Sequence, residues 1–222
     1  MSVNGSGSPG KQIIKSVVAI DSNVYILSFE RSFDFLPGQI IALSLDKNDP
    51  APRLYSICSG TDDKEIKILF NTVPGGKLTT RMAGLGQGDI IYSSNPYGRF
   101  CIREEAAVWI ANGTGIAPFV SRVLSGSSKA VTLLHGGRSE ASFYFEDVFR
   151  QSNNVEYIKC STSINNSDYF HGRITKYLSE ADKLPQERRY YLCGSTEMVV
   201  EARDILISKG ISYNMIESEI YF

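Results

Sequence analysis

"AAVWIANGTGIAPFVSRVLSG", Ala106–Gly126, decides how this chain is read. Ala106–Asn112 is a short apolar run, as expected of a strand buried on both faces. Glycines at 113 and 115 break it, and "FVSRVLSG" resumes as helix. Downstream the same grammar repeats: "AVTLLHGG" then "SFYFEDVFRQ", "VEYIKCS" then "RITKYLSEADKL", "RYYLCG" then "STEMVVEARDILISKG". In the last helix Met198, Val199, Ala202, Ile205 and Leu206 share one face, and Gly210 supplies the stop. Strands alternating with helices predict a parallel sheet covered on both faces, with ligands beyond the carboxyl ends of the strands.

Upstream the grammar changes. "KQIIKSVVAI", "NVYILSF", "QIIALSL", "RLYSICS", "EIKILFNT" and "DIIYSS" are short strand signals separated by "LPGQ", "DKNDPAP" and "GTDDKE". In "EIKIL" the alternation puts Ile66, Ile68 and Phe70 on one face and Lys67 and Asn71 on the other. These spacings predict a small antiparallel barrel or sandwich. One helix interrupts it, "GKLTTRMAGL", ending at the glycines of "GLGQGD". The expected organisation is a flexible tail over 1–10, a β domain over 11–103 and an α/β domain over 104–222.

Composition narrows the function classes. Lys plus Arg total 23 against 24 Asp plus Glu, so net charge gives no reason to expect nucleic acid. The 106–120 run is too short and too broken by Gly, Asn and Pro to span a membrane. The first residues lack the apolar core of a signal peptide. Cys58, Cys101, Cys160 and Cys193 match no zinc or iron–sulfur spacing. No metal is expected, and reduced thiols in a cytoplasmic protein are.

Three stretches carry chemistry. "RLYS", Arg53–Ser56, gathers polar groups on consecutive strand positions. Alternation sets Arg53 and Tyr55 on one face and Ser56 on the other, unless the strand bends or ends there. "VPGGKLTTRM", Val73–Met82, places glycines immediately before a helix, whose free amides can hold a phosphate. A tight turn capped by threonine is the alternative. "GTGIAP", Gly113–Pro118, lies between strand and helix as a pyrophosphate loop does, with Pro118 where a GxGxxG fingerprint has its third glycine.

With "FLPGQ" (Phe35–Gln39), "NPYGRF" (Asn95–Phe100), "HGGR" (His135–Arg138), "HGRIT" (His171–Thr175), "YLCGSTEMV" (Tyr191–Val199) and the tail "EIYF" (Glu219–Phe222), these motifs stand in a recognisable order. From Lys11 to Phe222 the chain resembles the ferredoxin–NADP⁺ reductase family, most closely its compact bacterial branch. The resemblance implies an N-terminal antiparallel Greek-key β-barrel that binds FAD, followed by a Rossmann-like parallel-sheet nucleotide-binding domain. Arg53 would pair with the FAD pyrophosphate, Leu54 and Tyr55 would lie along the flavin, and Ser56 would sit near its N5. Gly76, Lys77, Leu78 and Thr79 would form the second clamp, with Phe70 and Thr72 lining the cofactor. Gly113, Thr114, Gly115 and Pro118 would receive the nicotinamide nucleotide, Thr114 also bordering the flavin. Arg138, Ser161, Thr162 and Arg173 match positions around the 2′-phosphate. The branch usually carries arginine where Thr162 stands, so NADP(H) is expected and NAD(H) is left open. Cys193 would border the nicotinamide, Gly194 and Met198 would belong to the NADP-binding set, Phe222 or in its place Tyr221 would stack on the flavin, and Glu219 would manage charge. Ser56, Cys193 and Glu219 are the implied catalytic set. The bland readings are an edge-strand arginine, solvated surface arginines, a structural buried cysteine and aromatics closing the core.

The implied activity is hydride transfer between nicotinamide C4 and flavin N5, with electrons passing singly to a ferredoxin or flavodoxin. Arg99 and Arg103 are candidates for docking that carrier, and a monomer is expected. The alternatives are a flavin reductase, the reductase component of an oxygenase, and a non-enzymatic NAD(P)-sensing or assembly subunit.

Overall fold

Short β-rich segments with one apolar face must find a partner face, and in the first 102 residues they do so by closing on one another. The computed structural model describes residues 9–73 and 75–221. Contacts divide the chain into two units: residues 1–102 with 117–125, and residues 103–116 with 126–222.

The first unit contains β1 (Gly10–Asp21), β2 (Val24–Glu30), β3 (Ile40–Ser44), β4 (Arg53–Ser56), β5 (Glu65–Asn71), α1 (Lys77–Ala83) and β6 (Ile90–Ser93). The sheet order is β4-β3-β6-β1-β2-β5, all pairs antiparallel. An antiparallel bridge between Ile57 and Ile68 joins the two outer strands and closes the barrel. β3, β4 and β5 are consecutive neighbours, and β6 returns after α1 to lie beside β3, which is the Greek-key order. Ile14, Leu27, Phe29, Ile41, Leu43, Ile66 and Ile68 fill the interior. β5 alternates as expected except at Leu69, which is buried on the outward face as well. The segment 117–125, α2 (Ala117–Leu124) and one residue more, groups with this unit. Phe119 meets Phe100 edge-on at 6.4 Å, and Ser125 Oγ accepts a hydrogen bond from the Thr61 amide.

The second unit carries β7 (Ala107–Asn112), β8 (Val131–Gly136), α3 (Glu146–Arg150), β9 (Val155–Ser161), β10 (Tyr169–His171), α4 (Ile174–Glu180), β11 (Arg189–Ser195), α5 (Thr196–Ser208) and β12 (Ile216–Tyr221). Its sheet is wholly parallel in the order β10-β9-β8-β7-β11-β12. Every second strand residue faces the helices: Val108, Ile110, Leu134 and Leu192 pack with Leu178 of α4 and with Val199, Ala202 and Leu206 of α5.

Two elements differ from the sequence reading. "SFYFEDVFRQ" supplies only the five helical residues of α3, because Phe145 sits in the left-handed region at φ 60° just before it. Phe143 and Phe149 are buried on either side of that break. β10 is a three-residue edge strand in a stretch whose Asn, Ser and Asp read as loop.

A polar cluster is buried where α3 covers β8 and β9. His135 Nδ1 lies 2.9 Å from the Tyr157 hydroxyl, and Lys159 Nζ lies 2.8 Å from Glu146 and 2.9 Å from the Tyr169 hydroxyl. Burial depresses the His135 pKa to about 3, with Lys159 adding to the effect and Glu146 opposing it. The imidazole is therefore neutral in the fold.

Candidate functional site

In the first unit the strand that opens with Arg53 ends at Ser56. β4 pairs with β3 through Ile40–Ser56, and at Ile57 and Cys58 the chain changes partner to β5, with the Cys58 amide bonding Lys67 O at 2.9 Å. Ser56 is buried, whereas Arg53 and Leu54 are exposed. Arg53 is held lightly, one guanidinium nitrogen donating to Ala51 O at 3.2 Å. The Tyr55 ring meets Phe70 edge-on at 6.4 Å, and Tyr25 stacks on the same Phe70 at 5.5 Å. Burial pushes the Tyr55 phenol up to about 12, with the Arg53 charge pulling the other way, so Tyr55 is neutral at physiological pH.

α1 begins after Gly76 with no side-chain cap. Its first-turn amides, those of Lys77, Leu78 and Thr79, are orphan donors of the kind anions satisfy. The Thr79 hydroxyl instead accepts from the Val73 amide at 3.2 Å. A Cβ at Gly76 would stand 2.9 Å from Val73 O and 3.0 Å from Thr79 Oγ1, so this loop closes only around glycine. Leu78 and Tyr55 pack against one apolar cluster, which also contains Phe70. Thr72 is tied to Asn23 O by its amide at 2.8 Å. A lightly held guanidinium, uncapped helix amides and an aromatic group on the same core fit a diphosphate joined to a planar ring system.

In the second unit the strand order reverses beside β7: β8 lies on one side and β11 on the other. Such a reversal opens a crevice at the carboxyl ends of the strands. Two glycines let the loops there approach each other. A Cβ on Gly115 would collide with the Cys193 carbonyl, and one on Gly194, at φ 146°, with the Asn112 side chain. Asn112 ties the two ends together, donating to Ser195 Oγ at 3.0 Å and accepting from the Ser195 amide at 2.9 Å. Ser195 also caps α5 by accepting from the Met198 amide. Gly113, Thr114 and Gly115 form a short 3₁₀ turn at this edge. Asn112 and Ser195 were not singled out from sequence, although a serine directly before "TEMVV" is a helix-cap signal.

Cys193 is fully buried, and burial holds its thiol well above the ordinary value, with the Glu219 charge reinforcing this and a Tyr221 hydrogen bond opposing it. β12 pairs Cys193 with Glu219 and Ser195 with Tyr221, so the tail residues flank the crevice strand. Phe222 lies outside the described residues. Pro118 is buried in α2 and groups with the first unit.

Thr162 and Arg173 come together elsewhere on the same edge. They line a cleft of about 510 Å³ at the ends of β9 and β10, with Lys176, Glu180 and Glu201. Ser161 is buried beside it, and Arg138 is exposed after β8 and does not line the cleft. Among the described residues no group of three or more His, Cys, Asp or Glu could hold a metal ion.

Comparison with known proteins matches residues 11–102 to the oxidoreductase FAD-binding domain and residues 109–204 to the oxidoreductase NAD-binding domain. The toluate 1,2-dioxygenase electron transfer component of Pseudomonas putida is 26% identical over 212 residues, covering 90% of this chain and 62% of that protein. The ferredoxin–NADP reductase of Azotobacter vinelandii is 26% identical over 210 residues, covering 81% of each. The chain spans 59–65% of the length of three of its curated relatives, the Pseudomonas putida protein among them. A crystal structure of a ferredoxin NADP⁺ reductase from Neisseria gonorrhoeae with bound FAD and NADP superposes with a TM-score of 0.84 at 21% identity, over 98% of this chain and 100% of that one. Two domain matches in this order, on a closed antiparallel barrel and a parallel sheet with a glycine-lined switch point, lead to one conclusion: the chain belongs to the ferredoxin–NADP⁺ reductase family of FAD- and NAD-binding oxidoreductases.

Proposed function

We propose that this chain transfers electrons between NAD(P)H and a one-electron carrier protein of the ferredoxin or flavodoxin type, with FAD as its resident cofactor. The observation that carries the reading is the junction at Ser56, where β4 exchanges β3 for β5. On this strand Arg53 is exposed and could meet a diphosphate, while Tyr55 packs with Phe70 on the core that also seats Leu78 of α1.

Bound FAD would supply two-electron acceptance from nicotinamide and release of electrons one at a time. The chain's part is position and electrostatics. Arg53 and the amides of Lys77, Leu78 and Thr79 would hold the diphosphate from two elements. Tyr55 stays protonated, so it adds no negative charge beside the ring. At the switch point exposed Gly113 would leave the backbone bare for a pyrophosphate, Gly115 is buried against the Cys193 carbonyl, and Cys193, buried and protonated beside Gly194, would pack behind the surface that meets the nicotinamide. A thiol held in that state acts by size and polarizability, not as a nucleophile. Glu219, opposite Cys193 on β12, places a carboxylate beside this surface. Reduced thiols at all four cysteines accord with a cytoplasmic location.

The reductase component of an oxygenase is the second reading, favoured by the match to the Pseudomonas putida protein over 90% of this chain. Stopped-flow reduction by NADPH and by NADH, followed by mixing with ferredoxins and flavodoxins, tests the first reading. Rapid reoxidation by a carrier supports it; reoxidation only in the presence of an oxygenase partner favours the second.

A further inference from the structure

The cleft at the ends of β9 and β10 lies on the edge of the sheet where a dinucleotide held at the β7–β11 switch point would extend its adenosine. Its charges are already committed. The Arg173 guanidinium donates to Glu197 Oε1 at 3.1 Å, and Lys176 Nζ stands 3.7 Å from Glu180 on the next turn of α4. Glu201 lines the cleft as well, so two cations and two carboxylates line it, and Glu197, which does not line the cleft, adds a third carboxylate to this neighbourhood through its pair with Arg173. Thr162 supplies a hydroxyl at the position where the resemblance expected a further arginine.

We infer that this cleft selects an adenosine ribose with a free 2′-hydroxyl, making NADH the preferred nucleotide and Glu197 the residue that determines the preference. The inference deepens the dinucleotide reading above and rests on it. A carboxylate accepts hydrogen bonds and a ribose diol donates them, whereas a 2′-phosphate only accepts and brings roughly −1.5 to −2 of charge. Arg173 is the cation best placed to meet such a phosphate, and Glu197 occupies it. Both side chains are well exposed, at 69% and 76%, so the pair is weak as a source of stability and matters through the local field it sets.

The test uses the FAD-loaded full chain and calorimetric titration with 5′-AMP and with 2′,5′-ADP, which differ only in the 2′-phosphate. The wild type should bind 5′-AMP at least about tenfold more tightly, the size expected for a doubly charged group beside one net negative charge near a surface. Rising salt should narrow the gap. Glu197→Gln releases Arg173 and should shift the ratio roughly tenfold toward 2′,5′-ADP, and adding Thr162→Arg should shift it further. Tighter wild-type binding of 2′,5′-ADP, or a ratio indifferent to Glu197→Gln, overturns the inference while leaving the nucleotide reading in place. Failure of both fragments to bind, with neither NADH nor NADPH reducing the flavin, removes that reading and this inference together.

Discussion

At the scale of single residues, Arg53 and His135 make opposite use of charge. Arg53 is exposed and held by one backbone carbonyl, which leaves most of its fork of donors for an anion. Arg53→Ala should weaken FAD binding by about 1.5–3 kcal/mol, roughly ten- to a hundredfold, the range for hydrogen bonds to charged groups. Flavin released on dialysis measures this, and unchanged retention would exclude the clamp. His135 is buried and stays neutral down to about pH 3, while an unfolded histidine takes up a proton near 6.5. The unfolded chain therefore binds the extra proton in that window. The contribution is complete above pH 6.5 and is lost as pH falls, by up to about 1.4 kcal/mol per unit. Urea unfolding at pH 6.5 and pH 5 should differ by about 1.6 kcal/mol from this group, and His135→Gln should flatten that slope. Among the thiols, burial lifts Cys58 and Cys160 to about 12 and holds Cys193 higher than usual, whereas Cys101 is partly exposed. One equivalent of a thiol reagent should react in the native protein at pH 8 and map to Cys101. Labelling of Cys193 at a similar rate would show that the crevice strand is not closed as described.

At the scale of elements, the junctions carry the chemistry. Gly194 is strained for any side chain at φ 146°, and a methyl group there would strike Asn112. Gly194→Ala should cost about 2–4 kcal/mol from backbone strain and overpacking combined, measured by urea unfolding, and should abolish nucleotide binding. Stability and binding both unchanged would mean that the β7 and β11 ends need not approach. The sequence announced these junctions unevenly. "GTGIAP" after an apolar run and "GGKLTT" before a helix were legible because glycine and helix caps act within a few residues. The change of partner after Ser56 was not legible, since it depends on β5 replacing β3 beside Ile57. The Arg173–Glu197 pair was not legible at all, because it joins the start of α4 to the first turn of α5 across 24 positions. α3 was overread: its aromatic residues look amphipathic, yet Phe145 adopts a left-handed conformation that ends the pattern.

At the scale of the whole molecule, two compact units each enclose an apolar core, one inside the barrel and one between the parallel sheet and α4 and α5. Strand–helix order announced the parallel sheet of the second unit, whereas alternation left the first unit as a barrel or a sandwich, because closure depends on the long-range Ile57–Ile68 bridge. The grouping of 117–125 with the barrel was not foreseeable, because it turns on Phe119 meeting Phe100 rather than on helix signals. If the barrel is an FAD holder, free FAD at a hundredfold its dissociation constant should raise stability by about 2.7 kcal/mol, read as a concentration-dependent shift of the thermal midpoint. The most direct measurement is anaerobic titration of the purified protein with NADH, followed at the flavin absorption band. One FAD per chain is expected, bleached by a single equivalent of NADH. Protein that cannot be loaded with FAD, or whose flavin neither NADH nor NADPH reduces, would contradict it.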